Sequence, residues 1–141
     1  LPQGFDILLK KARTQNYMAG CFRMYFAPSN PIGLRIASWG TRFNHLLFRG
    51  GDQTLFIDKK LYQFIGGFDP AYQVCEDINL IKKIYQQTFF KILPQYVTTD
   101  SRRFTKKGTV YLLFHFRVLH LLHWLGFGPK NLLSYYKTFI N

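Results

Sequence analysis

The stretch GGDQTLFIDKKLYQFIGGFDPAYQVCEDINLIKKIYQ, residues 50 to 86, holds the turn, strand and helix signals from which the architecture is read. Thr54 to Ile57, TLFI, is a short apolar run between turn residues and predicts a buried strand. Lys59 to Ile65 predicts a short helix closed by Gly66-Gly67, because glycine enters the left-handed conformation of a helix C-cap without a side-chain clash. A turn follows through Phe68-Asp69-Pro70. From Glu76 to Thr88 the residues Ile81, Ile84, Tyr85 and Thr88 fall on one side of a helix, and Lys82, Lys83, Gln86 and Gln87 largely on the other. At the head of that helix stand two adjacent carboxylates, Glu76 and Asp77, in a chain with only 7 acidic residues against 19 Lys and Arg.

Outward from this stretch the strand and helix signals continue, and the chain reads as α/β. Phe5, Leu8, Leu9 and Ala12 predict an amphipathic helix from Leu1 to about Asn16, with Pro2 in its first turn. Met18 to Ala27, rich in aromatics, predicts a strand covered on both faces. Ile36, Trp39, Phe43, Leu46 and Leu47 recur at helical spacing and predict a helix from Ile32 to Phe48, ended by Gly50-Gly51. Phe89 to Leu93 and Tyr96 to Thr99 predict two strands separated by Pro94. Two last helices are predicted at Lys107 to Leu125 and Pro129 to Ile140, joined at Gly126-Phe127-Gly128.

At 141 residues the length fits one domain, and 48% hydrophobic with 18% aromatic residues is too apolar for a disordered chain. A formal charge of +12 makes phosphate the first ligand class to consider, on a nucleotide, an anionic lipid surface or a nucleic acid. Cys21 and Cys75 are too few for a disulfide framework and are read as reduced core thiols of a cytoplasmic protein. Val110 to Phe127, the most apolar stretch, carries His115, Arg117, His120 and His123, so it is expected to lie in the core or at an interface instead of spanning a membrane.

Four groups of residues invite a chemical reading. Glu76 and Asp77 would lie in the first turn of their helix, where backbone N–H groups and the helix dipole stabilise negative charge, so capping and catalysis both explain them. Asp52 and Gln53 follow a glycine pair; an Asp bonding its own turn is the alternative to a ligand contact. Arg102 and Arg103 offer planar forks suited to a diphosphate, or are surface charge. His120 and His123 share a helix face, but no third ligand is evident by spacing, and His115, His120 and His123 are expected to pack rather than bind metal.

Taken with VTTDSRRF, residues 97 to 104, and the apolar-aromatic helix that follows, the stretch 50 to 86 resembles the acceptor half of the family 2 glycosyltransferases, inverting enzymes of the GT-A fold. The matching features are the Gly-Asp-Gln turn, the Gly-Gly-Phe turn and the Glu-Asp pair opening a helix; the likeness covers nearly the whole chain. It implies a partial, Rossmann-like GT-A domain over residues 1 to 104 and a helical extension over residues 105 to 141. It implies that Asp77 is the general base that deprotonates an acceptor hydroxyl, with Glu76 as its orienting partner. Asp52 and Gln53 would line the acceptor side, and Arg102 and Arg103 the donor diphosphate. These arginines fall where related processive enzymes carry a QxxRW signature; here Asp100 replaces Gln and Phe104 replaces Trp, which speaks against processivity.

The same family binds its nucleotide sugar on an N-terminal βαβ half and holds Mn²⁺ or Mg²⁺ through a D-x-D motif. No D-x-D occurs in this sequence, so the resemblance implies a chain that starts just downstream of the metal site, with little or no activity by itself. An uncovered sheet edge would favour homo-oligomers. Lys106, Lys107, Arg117, Lys130 and Lys137 among Phe, Leu, Trp124 and Tyr135-Tyr136 make the C-terminal helices candidates for peripheral contact with the inner face of a membrane, or for packing on the enzyme body. The rival to an enzyme is therefore a non-catalytic basic module on anionic membrane. Nucleic acid is the weaker form of that reading, because the basic residues are scattered and no recognition motif is present.

Overall fold

The computed structural model describes residues 2–141 and shows a mixed α/β chain. Three strands, β1 (Ala19–Ala27), β2 (Phe56–Ile57) and β3 (Phe90–Asp100), form one sheet in the order β2-β1-β3. β2 runs antiparallel to β1, whereas β3 runs parallel to it. The helices are α1 (Phe5–Thr14), α2 (Ile32–Gly40), α3 (Lys59–Phe64), α4 (Glu76–Gln87), α5 (Arg102–Lys107), α6 (Thr109–Trp124) and α7 (Pro129–Phe139).

The aromatic strand is covered on both faces, as its composition predicts. Ala19 and Cys21 pack with Leu61, Leu80, Ile81, Ile84 and Phe90 on one side, and Phe22 joins Leu93, Val97 and the α1 residues Phe5 and Leu8 on the other. Gly20 lets the strands close up: a Cβ there would stand 2.1 Å from the Lys91 carbonyl oxygen. The C-cap of α3 is also as expected, with Gly67 at φ 60 against the Tyr62 ring.

Helix α4 belongs to two cores at once. Leu80, Ile81 and Ile84 pack beneath the sheet, whereas Cys75 and Ile78, at its start, pack among Leu112, Leu119, Leu132 and Ile140 of the C-terminal helices. Arg103 and Lys107 of α5 donate to the Ile140 carbonyl at 2.8 and 3.2 Å, tying α5 to the end of α7. The extension after residue 104 is thus built into the fold, and the boundary expected between residues 104 and 105 falls inside α5.

Four expectations about the elements are corrected. The helix predicted over Ile32 to Phe48 stops at Gly40, and two 3-10 turns, Leu46–Phe48 and Gly51–Gln53, follow. The carbonyls of Thr41 and Phe43 accept from the Arg49 guanidinium at 2.7 and 2.6 Å, so the chain curls around a buried cation where a helix would have continued. The two strands expected on either side of Pro94 are one: Leu93 pairs with Phe22 and Tyr96 with Arg23, which leaves Pro94 and Gln95 in a bulge that does not need the missing proline N–H. Helix α5 begins ahead of the predicted Lys107 start and is separated from α6 by Gly108 at φ 91. Pro2 precedes α1, which begins at Phe5; the predicted start at Leu1 lies outside the described residues.

Candidate active-site cleft

A cleft of about 520 Å³ opens at the carboxyl ends of the parallel strands, with Met24 and Phe26 of β1 and Asp100 of β3 on its wall. This is where open α/β sheets place their ligands, because loops and helix N-termini converge there. The start of α4, the turn Gly50-Gly51-Asp52-Gln53, Arg103 of α5, Arg117 and His120 of α6 and Tyr136 of α7 are also among its lining.

Asp77 is fixed by one contact. Its Oδ2 accepts a hydrogen bond from the Gly51 N–H, which joins the head of α4 to the glycine turn 26 residues earlier. A Cβ on Gly51 would lie 3.0 Å from that oxygen, so the approach depends on glycine. The bond uses one carboxylate oxygen and leaves the other for a ligand. Cys75, immediately before the doublet, holds the left-handed conformation at φ 62, where a side chain costs about 1–2 kcal/mol. Burial, followed by the charges of Asp77 and Glu76, pushes its thiol up to about 12. Glu76 lines the cleft mouth and is exposed.

Asp52 faces the same space. Its surface is open to solvent, yet the crowding of the cleft wall raises its carboxyl above the ordinary range, repulsion from Asp77 adds to this, and Arg103 opposes it. Arg103 donates to the Tyr136 hydroxyl at 3.0 Å and lies over the Phe116 and Tyr136 rings. His120 projects from α6 with its Nδ1 buried and without a protein partner. Burial, then the Arg117 charge, holds its imidazole down to about 4, with Asp77 pulling the other way, so the ring is neutral at pH 7.

Two residues expected in the site point elsewhere. Arg102 turns to solvent and pairs with Asp100, its Nε 2.6 Å from Oδ2. Gln53 is buried: its Oε1 accepts from Arg49 and from the Cys21 thiol at 2.9 and 3.2 Å, and its Nε2 donates to the Phe48 carbonyl at 2.6 Å. Its amide is spent on holding the turn and has no group to spare for an acceptor. The centre of that network, Arg49, is 1% exposed and was not singled out in the sequence, where it reads as one more arginine before a glycine pair. Tyr136, read only as part of a membrane-suited helix, likewise proves to be a cleft residue.

His115 and His123, unlike His120, pack against aromatic rings. His115 Nδ1 lies 2.6 Å from the Tyr135 hydroxyl with its ring stacked on Phe139, and His123 meets the edge of Tyr72. Among the described residues no group of three or more His, Cys, Asp or Glu side chains is placed to hold a metal ion. No protein-family model, curated protein or solved structure matches the chain.

Proposed function

We propose that this chain is the acceptor-binding part of an inverting glycosyltransferase of the GT-A type. The observation that carries the reading is the seating of Asp77: a carboxylate anchored through one oxygen by the Gly51 N–H, in a cleft it shares with Asp52 and Arg103. In the proposed step the acceptor hydroxyl attacks the anomeric carbon of a nucleotide sugar. A new C–O bond forms, the bond from that carbon to the diphosphate breaks, and the hydroxyl proton passes to Asp77. Asp52, its carboxyl raised above the ordinary range by burial and by Asp77, hydrogen-bonds the acceptor; Arg103, whose charge acts on Asp52, offers a cationic fork for the departing diphosphate. Arg102, turned to solvent and spent on its pair with Asp100 at the cleft edge, is given no part in the step.

The resemblance also calls for a divalent cation. Among the described residues no set of side chains is placed to hold one, so no step is routed through it.

The test is nucleoside diphosphate release from a panel of nucleotide sugars by this chain, alone and fused to a nucleotide-binding GT-A half, with and without Asp77→Asn. Loss of a general base should lower kcat about 10²–10⁴-fold while the fold, followed by circular dichroism, is retained. Turnover unchanged in Asp77→Asn would refute the assignment.

A further inference from the structure

The stripe that defines α2 as a helix faces outward. Ile36 and Trp39 are 63% and 53% exposed, while the buried residues of that helix are Leu34, Ser38 and Gly40. The Trp39 ring meets Phe43 at 4.6 Å, and Phe43 meets Phe48 at 5.9 Å. Arg117 of α6 covers Phe48 at 5.4 Å and donates to the Leu47 carbonyl. Leu47 then shares an apolar groove with Leu121 and Trp124, both exposed. One apolar face therefore runs from α2 across the 3-10 turn onto α6. Such a face is larger than singly scattered surface hydrophobics and calls for a covering partner.

The charges around it select the partner. No Asp or Glu occurs between Ile7 and Gly51, nor anywhere after Asp100, so both elements that build the face are free of acid. Arg35 and Arg42 stand exposed on the α2 side, with Arg42 folded over Trp39 at 5.5 Å, and Arg117 sits in the middle. Aromatic rings with arginines at their margins suit the headgroup layer of a bilayer, where rings enter and guanidinium groups reach phosphate. No helix among the described residues is long and apolar enough to cross a membrane, so contact through this face is in the plane of the surface.

We propose that the face formed by α2, the following turn and α6 docks on an anionic lipid bilayer, with Trp39, Phe43, Leu47, Leu121 and Trp124 entering the interface. The surface differs from the one expected in the sequence, which lay on the C-terminal helices alone. The proposal stands apart from sugar transfer and requires no activity. Because the cleft also borders on Leu47, Arg117 and His120, docking would bring its mouth close to the lipid headgroups.

The two tryptophans of the chain, Trp39 and Trp124, both lie on this face, so intrinsic fluorescence reads it directly. Vesicles of phosphatidylcholine with phosphatidylglycerol should shift the emission to the blue, and brominated lipid should quench it. Phosphatidylcholine alone should bind much less, and added salt should weaken binding. Arg42→Gln should weaken the partition about fivefold, and Leu121→Glu about tenfold or more, while Ile7→Glu on α1, 70% exposed, should leave it unchanged. All three positions are at the surface, so folding is preserved. An unshifted emission with anionic vesicles, equal binding to neutral ones, or equal loss with Ile7→Glu overturns the proposal. So does a self-associated species in light scattering that Leu121→Glu disperses without any lipid binding, which would make a second copy the occupant.

Discussion

Replacing Arg49 with lysine should destabilise the protein by about 2–6 kcal/mol. The guanidinium is 1% exposed and, among the described residues, forms no salt bridge; its charge is spread over hydrogen bonds to Thr41 O, Phe43 O, Gln53 Oε1 and Cys21 Sγ at 2.6 to 2.9 Å. Lysine keeps the charge, but three donors on one nitrogen cannot span acceptors arranged around a planar fork. At least two buried acceptors lose their donor, each at about 1–3 kcal/mol. Leucine separates the two opposing effects: it orphans more acceptors but removes the cost of burying an uncompensated cation. Urea denaturation with the m-value held in common measures both variants. Hydrogen exchange at the Gly51 amide adds a local reading, because that amide holds Asp77 and its turn hangs from Arg49 through Gln53. A lysine variant within about 0.5 kcal/mol of the parent, the range of ordinary surface substitutions, with Gly51 protection intact, would refute the role of Arg49 as the support of the turn.

Three further outcomes are expected. The Cys75 thiol, raised from 9.0 to about 12 in the fold, contributes stability that is complete below pH 9 and is lost as pH climbs toward 12; a urea midpoint falling over that window, flattened in Cys75→Ala, checks it. His120, lowered from 6.5 to about 4, contributes stability present above pH 6.5 and lost as pH falls toward 4, so its ring should remain neutral by nitrogen NMR at pH 5.5 and His120→Gln should flatten the acid limb. Arg103→Ala, which strips donors from the Tyr136 hydroxyl and the Ile140 carbonyl, should lower stability by about 1–2 kcal/mol, whereas Arg102→Ala, which loses only an exposed pair with Asp100, should leave the urea midpoint in place.

Periodicity and punctuation placed most elements, and failed where a distant residue decides. The strand of Ala19–Ala27 and the Gly-capped helix α3 are readable because their causes are local: aromatic content and left-handed glycines. The end of α2 is not, since the carbonyls of Thr41 and Phe43 are taken by a guanidinium six to eight positions on, and nothing in residues 32 to 48 announces it. Pro94 misled because a bulge tolerates it within a continuous strand. In the cleft, Asp52 and Asp77 lie close enough for their charges to interact, a proximity that the resemblance implied and that neither the turn nor the helix-head position announces by itself. Gln53 and Arg102 depart because side-chain direction along a turn is set by packing: one faces the Arg49 network and its neighbour Asp52 the cleft, while Arg102 and Arg103 diverge by one helical step.

The double membership of α4 bears on the order of assembly. Its sheet-facing residues find partners in Ala19, Cys21, Leu61 and Phe90, all made by the time β3 is complete, but Cys75 and Ile78 wait for Leu112, Leu119, Leu132 and Ile140. Ile140 lies 65 positions beyond Cys75. A nascent chain can therefore close its sheet while the carboxylate end of the helix stays frayed, and the cleft takes shape only once α7 has docked. Any change that slows the arrival of α7 should prolong a species with a finished sheet and an unformed pocket.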